Sequence, residues 1–129
     1  MKKKLLTLIF GLLAASFVNA APPRGVVLDR PMEAVARTLQ ARLPTLSMDG
    51  MCEVERADDG WNFEFRLKAD KTTAEEVRVV IRAVEPGKTE LRVQGIRIES
   101  AMITDKRMAD PALTQEWTEK IRKLIEEAG

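Results

Sequence analysis

Residues Val77 to Ser100 read VRVVIRAVEPGKTELRVQGIRIES, and the chain is organised around them. Val77, Val79, Ile81 and Ala83 fall on one face of an extended chain, with Arg78 and Arg82 on the other. After Pro86-Gly87, Leu91 and Val93 alternate with Glu90 and Arg92. Period-2 alternation bounded by turn residues is the signature of a half-buried β-hairpin. A two-residue Pro86-Gly87 loop would set Arg82 opposite Leu91 and mix charge into the core, because opposed residues share a face. A three-residue loop, Glu85-Pro86-Gly87 or Pro86-Gly87-Lys88, instead pairs apolar with apolar, for example Ile81 with Leu91 and Val79 with Val93 in the first, so an odd loop is the expected arrangement. Ile96 and Ile98 have the opposite parity to Leu91 and Val93, which predicts a bulge at Gln94-Gly95.

Working back from the hairpin, Trp61, Phe63, Phe65, Leu67 and Ala69 alternate with Asn62, Glu64, Arg66 and Lys68, a clear strand. Leu46 to Ala57 also alternates and reads as a strand bent at Gly50. Asp59-Gly60 is a type I′ turn dipeptide, whose register would pair Val54 with Phe65 and Cys52 with Leu67. Asp70 to Thr73 connects to the hairpin.

Gly25 to Asp29 forms a short first strand, and a helix follows, with Pro31 at its first position. Met32, Val35, Ala36, Leu39 and Leu43 make its buried stripe, Glu33 and Arg37 pair on the wet face, and Pro44 ends it. At the other end of the chain, Met102 to Ala109 has no periodicity and reads as a loop. Asp110-Pro111 then caps and starts a helix. Leu113, Trp117, Ile121, Leu124, Ile125 and Ala128 trace its apolar face, while Glu116–Lys120 and Glu119–Lys123 pair on the other. The expected architecture is α+β in the order β-α-β-β-β-β-α, an antiparallel sheet with both helices on one face.

In layout this resembles the helix-grip type of small bacterial periplasmic domain. It is similar to the domains of the outer-membrane-assembly lipoprotein BamC and to short periplasmic families. The likeness covers Val26 to Ala128 and rests on VVLDRPMEAVARTL and on KTELRVQGIRIES before a late helix. It carries over no functional residue.

The first twenty residues predict a secretory signal: Lys2, Lys3 and Lys4, an apolar run from Leu5 to Val18, then Val18-Asn19-Ala20 for cleavage after Ala20. The run is shorter than the roughly 20 residues a membrane span needs, so no transmembrane anchor is expected once the signal is cleaved. The residue after the cleavage site is Ala21, not a cysteine that could take a lipid. Residues 21–129 form one domain, expected in the periplasm. Without the three lysines of the signal, 18 basic residues face 20 acidic ones, about −2, a balance that disfavours nucleic acid. Cys52 is the only cysteine, which excludes an intrachain disulfide.

The chain has no His and no Tyr, which removes the commonest general base and most metal sites. It also lacks a phosphate loop and a nucleophile elbow. No catalytic, cofactor-binding or metal-binding residue is assigned. Met48, Met51 and Cys52 could form a soft-ligand set for monovalent copper, but alternation points Met51 away from the other two.

Arg66, Lys68, Arg78, Arg82, Arg92 and Arg97 are expected on the outer sheet face, interleaved with Glu53, Glu55, Glu64, Glu90 and Glu99 for cross-strand pairing. Val80 and Val84 lie among the arginines, so Arg78, Val80, Arg82, Val84 and Arg92 form a candidate partner-binding patch. The sequence is thus read as a non-catalytic module that binds another envelope protein, or a second copy of itself. The alternative is a carrier of a small apolar or lipid ligand, lined by Met32, Phe63, Phe65 and Trp117 under the C-terminal helix.

Overall fold

A computed structural model describes residues 25–100 and 104–128, so the signal sequence and its cleavage site lie outside the described residues. The elements in chain order are β1 (Val26–Leu28), α1 (Met32–Leu46), β2 (Glu53–Ala57), β3 (Gly60–Ala69), β4 (Thr73–Glu85), β5 (Lys88–Ser100), β6 (Asp105–Ala109) and α2 (Pro111–Ala128). The fold is α+β. All strand pairs are antiparallel, in the order β1-β5-β4-β3-β2, with β6 also on β5. β4 occupies one edge of β5 along its length, so β1 and β6 share the other.

Both helices lie on one face. Val35, Ala36, Leu39 and Leu43 of α1 and Leu113, Trp117, Ile121 and Ile125 of α2 join Phe63, Phe65, Val77, Val79, Ile81, Leu91 and Val93 in one core. This matches the helical stripes and the strand alternation, except that Ala128 is exposed. Phe65 meets Trp117 edge-to-face at 5.5 Å, the arrangement that aromatic quadrupoles prefer. Arg30, between β1 and α1, donates to the carbonyls of Ile125 at 3.3 Å and Glu126 at 2.8 Å, near the C-terminal end of α2. A cation there satisfies orphan carbonyls and complements the helix dipole. The Arg30 carbonyl accepts from the buried Thr89 hydroxyl at 2.7 Å, which ties the same corner to β5.

The central hairpin keeps the expected pairs, Ile81 with Leu91 and Val79 with Val93, by a different device. The loop is the two-residue Pro86-Gly87, with Glu85 opposite Lys88 and Gly87 at φ 78°. Val84 is the extra residue, bulged between the Ala83–Thr89 and Glu85–Lys88 pairs, and it restores the parity. Gln94-Gly95 carries no bulge: the register runs unbroken from Val79–Val93 through Val77–Gly95 to Glu76–Ile96. Ile96 and Ile98 therefore face away from the helices, and both are buried there, outside the main core. The parity change in the sequence marks a change in which face is buried. Gly95 lies on the helix side, beneath Leu113.

Other expectations shift locally. Pro31 caps α1 with extended backbone, φ −63° and ψ 145°, one position before the helix begins. Pro44 sits inside the last turn, and the helix runs on to Leu46. The proline removes one N–H donor where little helix remains to need it. Residues 47–52 form a turn segment, so β2 covers only the end of the expected strand. The β2–β3 loop is Asp58-Asp59, with Val54 opposite Phe63, two residues from the expected register but on the same face. Gly60 opens β3, and only glycine fits there: a Cβ would lie 1.8 Å from the Ile81 carbonyl oxygen.

The stretch after Ser100, expected to be a loop, contains β6. It pairs Ile96 with Ala109 and Ser100 with Asp105. The α2 start follows the sequence: Asp110 Oδ1 accepts from the Leu113 N–H at 3.0 Å.

Candidate functional site

The sheet face away from the helices carries the outward residues of every strand. β3 contributes Asn62, Glu64 and Arg66; β4 contributes Glu76, Arg78, Val80 and Arg82; β5 contributes Glu90, Arg92, Gln94, Ile96 and Ile98. The register sets Val80 between Asn62 and Arg92, and it is half-buried. Val84 is exposed at the bulge near the hairpin end.

The arginines here are engaged. Arg78 Nε donates to Glu64 at 3.1 Å, and Arg92 Nε donates to Glu90 at 3.1 Å. Arg82 lies 3.8 Å from Asp59. Glu76 is buried and is held by Arg66 at 3.0 Å and by Arg107 of β6 at 2.7 Å. Arg107, in the stretch expected to be a loop, thus completes the ion network, and its role had no signal in hydrophobic periodicity. Burial pushes the Glu64 carboxyl above the ordinary carboxylate range, and the nearby Arg78 only partly offsets it. Cross-strand pairing, as the interleaving implies, holds for Arg78 with Glu64 and Arg66 with Glu76, whereas Glu90 and Arg92 pair within β5.

Arg97 and Lys68 are on the other side. The unbroken register at Gly95 and the β3 irregularity between Arg66 and Lys68 place both on the helix face, flanking Glu75. Arg97 donates to Asp110 at 3.2 Å, and Lys68 lies 3.7 Å from Glu75. Glu75, Arg97 and Asp110 border a groove of about 510 Å³ lined also by Leu46, Leu67, Leu113, Glu116 and Trp117. Of the four residues expected to line a ligand pocket, Trp117 alone reaches this groove. Phe63 and Phe65 are fully packed in the core, and Met32 packs partly against it.

A second exposed feature lies at β2. Among the described residues this strand pairs only with β3, so its other edge is open. Val54 is exposed, as are Leu46, Met48 and Met51 close by in the chain. Arg56 reaches over the Trp61 ring at 5.1 Å and lies 3.7 Å from Glu33 of α1, the ion pair found in place of Glu33–Arg37. On α2, Glu119 pairs with Arg122 at 2.7 Å rather than with Lys123, while Glu116–Lys120 forms at 3.0 Å. Cys52 is half-buried outside any strand; burial is the main cause of its raised thiol pKa.

Among the described residues no group of three His, Cys, Asp or Glu is placed to hold a metal. No described helix is long and apolar enough to cross a membrane. No family model, curated protein or solved structure matches the chain.

Proposed function

We propose that the chain is a non-catalytic, exported module of the bacterial envelope that binds another protein through the outer sheet face. The carrying observation is that both helices cover one face, while the other presents Val80 among arginines already held by Glu64 and Glu90. Side chains fixed before binding lose less freedom on association, and arginine beside apolar surface is common in interfaces. The periplasmic destination rests on Lys2 to Ala20, and the absence of catalysis on the lack of His and Tyr. The layout of two helices against an antiparallel sheet is in keeping with the helix-grip likeness.

The test compares two neighbouring substitutions. Val80→Glu should leave the melting temperature nearly unchanged and abolish a discrete photo-crosslink from a probe at Arg82 in intact cells. Val79→Glu puts a carboxylate into a fully buried core position and should unfold the protein. Equal destabilisation by both, or a crosslink indifferent to Val80→Glu, refutes binding by this face. N-terminal sequencing of the exported form should begin at Ala21.

The second reading, a carrier of a small apolar ligand, has only the open groove beside Trp117 to draw on, and Glu75, Arg97, Asp110 and Glu116 line it too. Native mass spectrometry of protein purified from the periplasm separates the two: a retained lipid supports the carrier, a protein subunit the module.

A further inference from the structure

β2 offers a more specific docking site than the sheet face. An edge strand presents a row of backbone N–H and C=O groups that can pair with another chain. Glu53 and Glu55 point to the outer face, where Glu53 stands opposite Glu64 and Glu55 opposite Asn62. Among the described residues neither Glu53 nor Glu55 has an ion-pair partner, whereas Glu64 is held by Arg78. Between them, exposed Val54 points to the helix side.

A second copy of the chain fits this edge poorly. Antiparallel pairing of two β2 strands about a two-fold axis normal to the sheet keeps each face on its own side. A register centred on Val54 opposes Glu53 with Glu55, and those centred on Glu53, Glu55 or Arg56 oppose each residue with its own copy. Every such register faces like charges, which destabilises the pair. Charge complementarity instead selects a foreign strand with basic residues against Glu53 and Glu55 and an apolar residue against Val54.

We infer that the β2 edge binds an extended segment of a partner protein in which basic residues flank an apolar one, adding it to the sheet as a further strand. Backbone pairing would supply the attachment and the alternate side chains the selectivity, the usual division in strand addition. The inference rests on the protein-binding reading but uses a different surface from Val80, so the two fail separately.

The probe is a capped peptide, Thr-Thr-Lys-Val-Lys-Thr-Thr, titrated into isotope-labelled protein at low salt. The expected result is saturable shifts centred on the backbone amides of Glu53 to Ala57, weakening as salt screens the charges. The same peptide with glutamates for lysines should bind roughly tenfold more weakly, from two cross-strand pairs turned from attraction to repulsion. Glu53→Lys with Glu55→Lys, at exposed positions and checked for folding by circular dichroism, should reverse that preference. A lysine peptide N-methylated at alternate residues should lose binding, because it cannot donate to the edge. Any of four results overturns the inference: no saturable binding, shifts centred elsewhere, equal affinity for the acidic or N-methylated peptide, or self-association through residues 53–57. If the edge fails while the crosslink at Arg82 still depends on Val80, the protein-binding reading survives without it.

Discussion

Gly95 and Leu113 compete for one volume: a Cβ on Gly95 would lie 2.7 Å from the Leu113 Cβ and Cγ. The Gly95 N–H donates to Thr114 Oγ1 at 2.8 Å, and its carbonyl accepts from the Asp110 N–H at 3.0 Å. The first turn of α2 is thus seated on bare backbone of β5. Gly95→Ala should cost about 1–3 kcal/mol, as overpacking in a filled core does, read as a lower urea midpoint. Combining it with Leu113→Ala should cost less than the two alone summed, since the smaller side chain frees part of that volume. An unchanged midpoint for Gly95→Ala would mean that α2 can lift without penalty.

Arg107 should matter more than its place in a charged edge strand implies. Removing it leaves the buried Glu76 carboxylate with Arg66 alone. Losing one partner of a fully buried pair costs about 3–5 kcal/mol. Arg107 is about a third exposed, so solvent screening reduces this to about 1–2 kcal/mol. Arg107→Ala should also speed hydrogen exchange along Asp105 to Ala109 before the rest of the sheet is affected. Glu76→Gln, which keeps a hydrogen-bond acceptor but no charge, should be milder.

The β3–β4 turn should be acid-sensitive. The Asp70 carboxylate accepts from the Thr72 N–H at 2.8 Å and the Thr73 N–H at 2.7 Å, and from the Thr73 hydroxyl at 3.0 Å. These bonds, the one to the Thr72 N–H foremost, lower its pKa from 3.8 to about 2. A depressed folded pKa stabilises the turn fully above the ordinary carboxylate range, and the effect is lost as pH falls toward about 2. Nuclear magnetic resonance titration of the Asp70 carboxyl should show the low midpoint. Asp70→Ala should remove this part of the pH dependence; an ordinary midpoint in the native protein would refute the capping role.

Cys52 should label slowly. Its thiol pKa is raised mainly by burial; a backbone hydrogen bond from Glu64 partly offsets this, while the Glu53 and Glu64 carboxylates add to it, and the thiolate is the reactive form. A maleimide reagent near neutral pH should react more slowly with the native protein than with the denatured chain. Glu53→Lys removes one of the acids that oppose ionisation and should speed the native reaction. Native labelling as fast as denatured labelling would show that neither burial nor charge protects the sulfur.

The sequence revealed the core more fully than the exposed edges. Val79, Ile81, Leu91 and Val93 alternate because a single face is buried along that part of the hairpin, and their pairing could be read directly. Ile96 and Ile98 broke the pattern because burial changes sides there, which alternation alone cannot distinguish from a bulge. β6 went unseen because its sequence, DKRMA, is mostly charged: Arg107 serves an ion network, not a core. Gly60 looked like a turn glycine, yet the constraint is a carbonyl from β4, a contact between strands that no local dipeptide encodes. At the candidate patch, parity placed Arg78, Val80, Arg82 and Arg92 correctly on one face. Lys68, Arg97 and Glu99 fall instead on the helix face, because they lie beyond the irregularity after Arg66 and the unbroken register at Gly95, neither of which alternation encodes.

β5 has a consequence for the order in which the chain can fold. It is the strand that both early and late elements need: Arg30 meets Thr89 across 59 positions, and meets Ile125 across 95. A chain emerging from its N-terminal end therefore presents β1 and α1 long before their binding surface exists. Loops of this length make closure slow, and contacts of high sequence separation lower folding rates. The β3–β4–β5 meander can form first, with β1, β6 and the two helices docking afterwards. A polypeptide built this way cannot seal its core until α2, its last element, is available, so β1 and α1 wait for most of the chain before they find the surface they pack on.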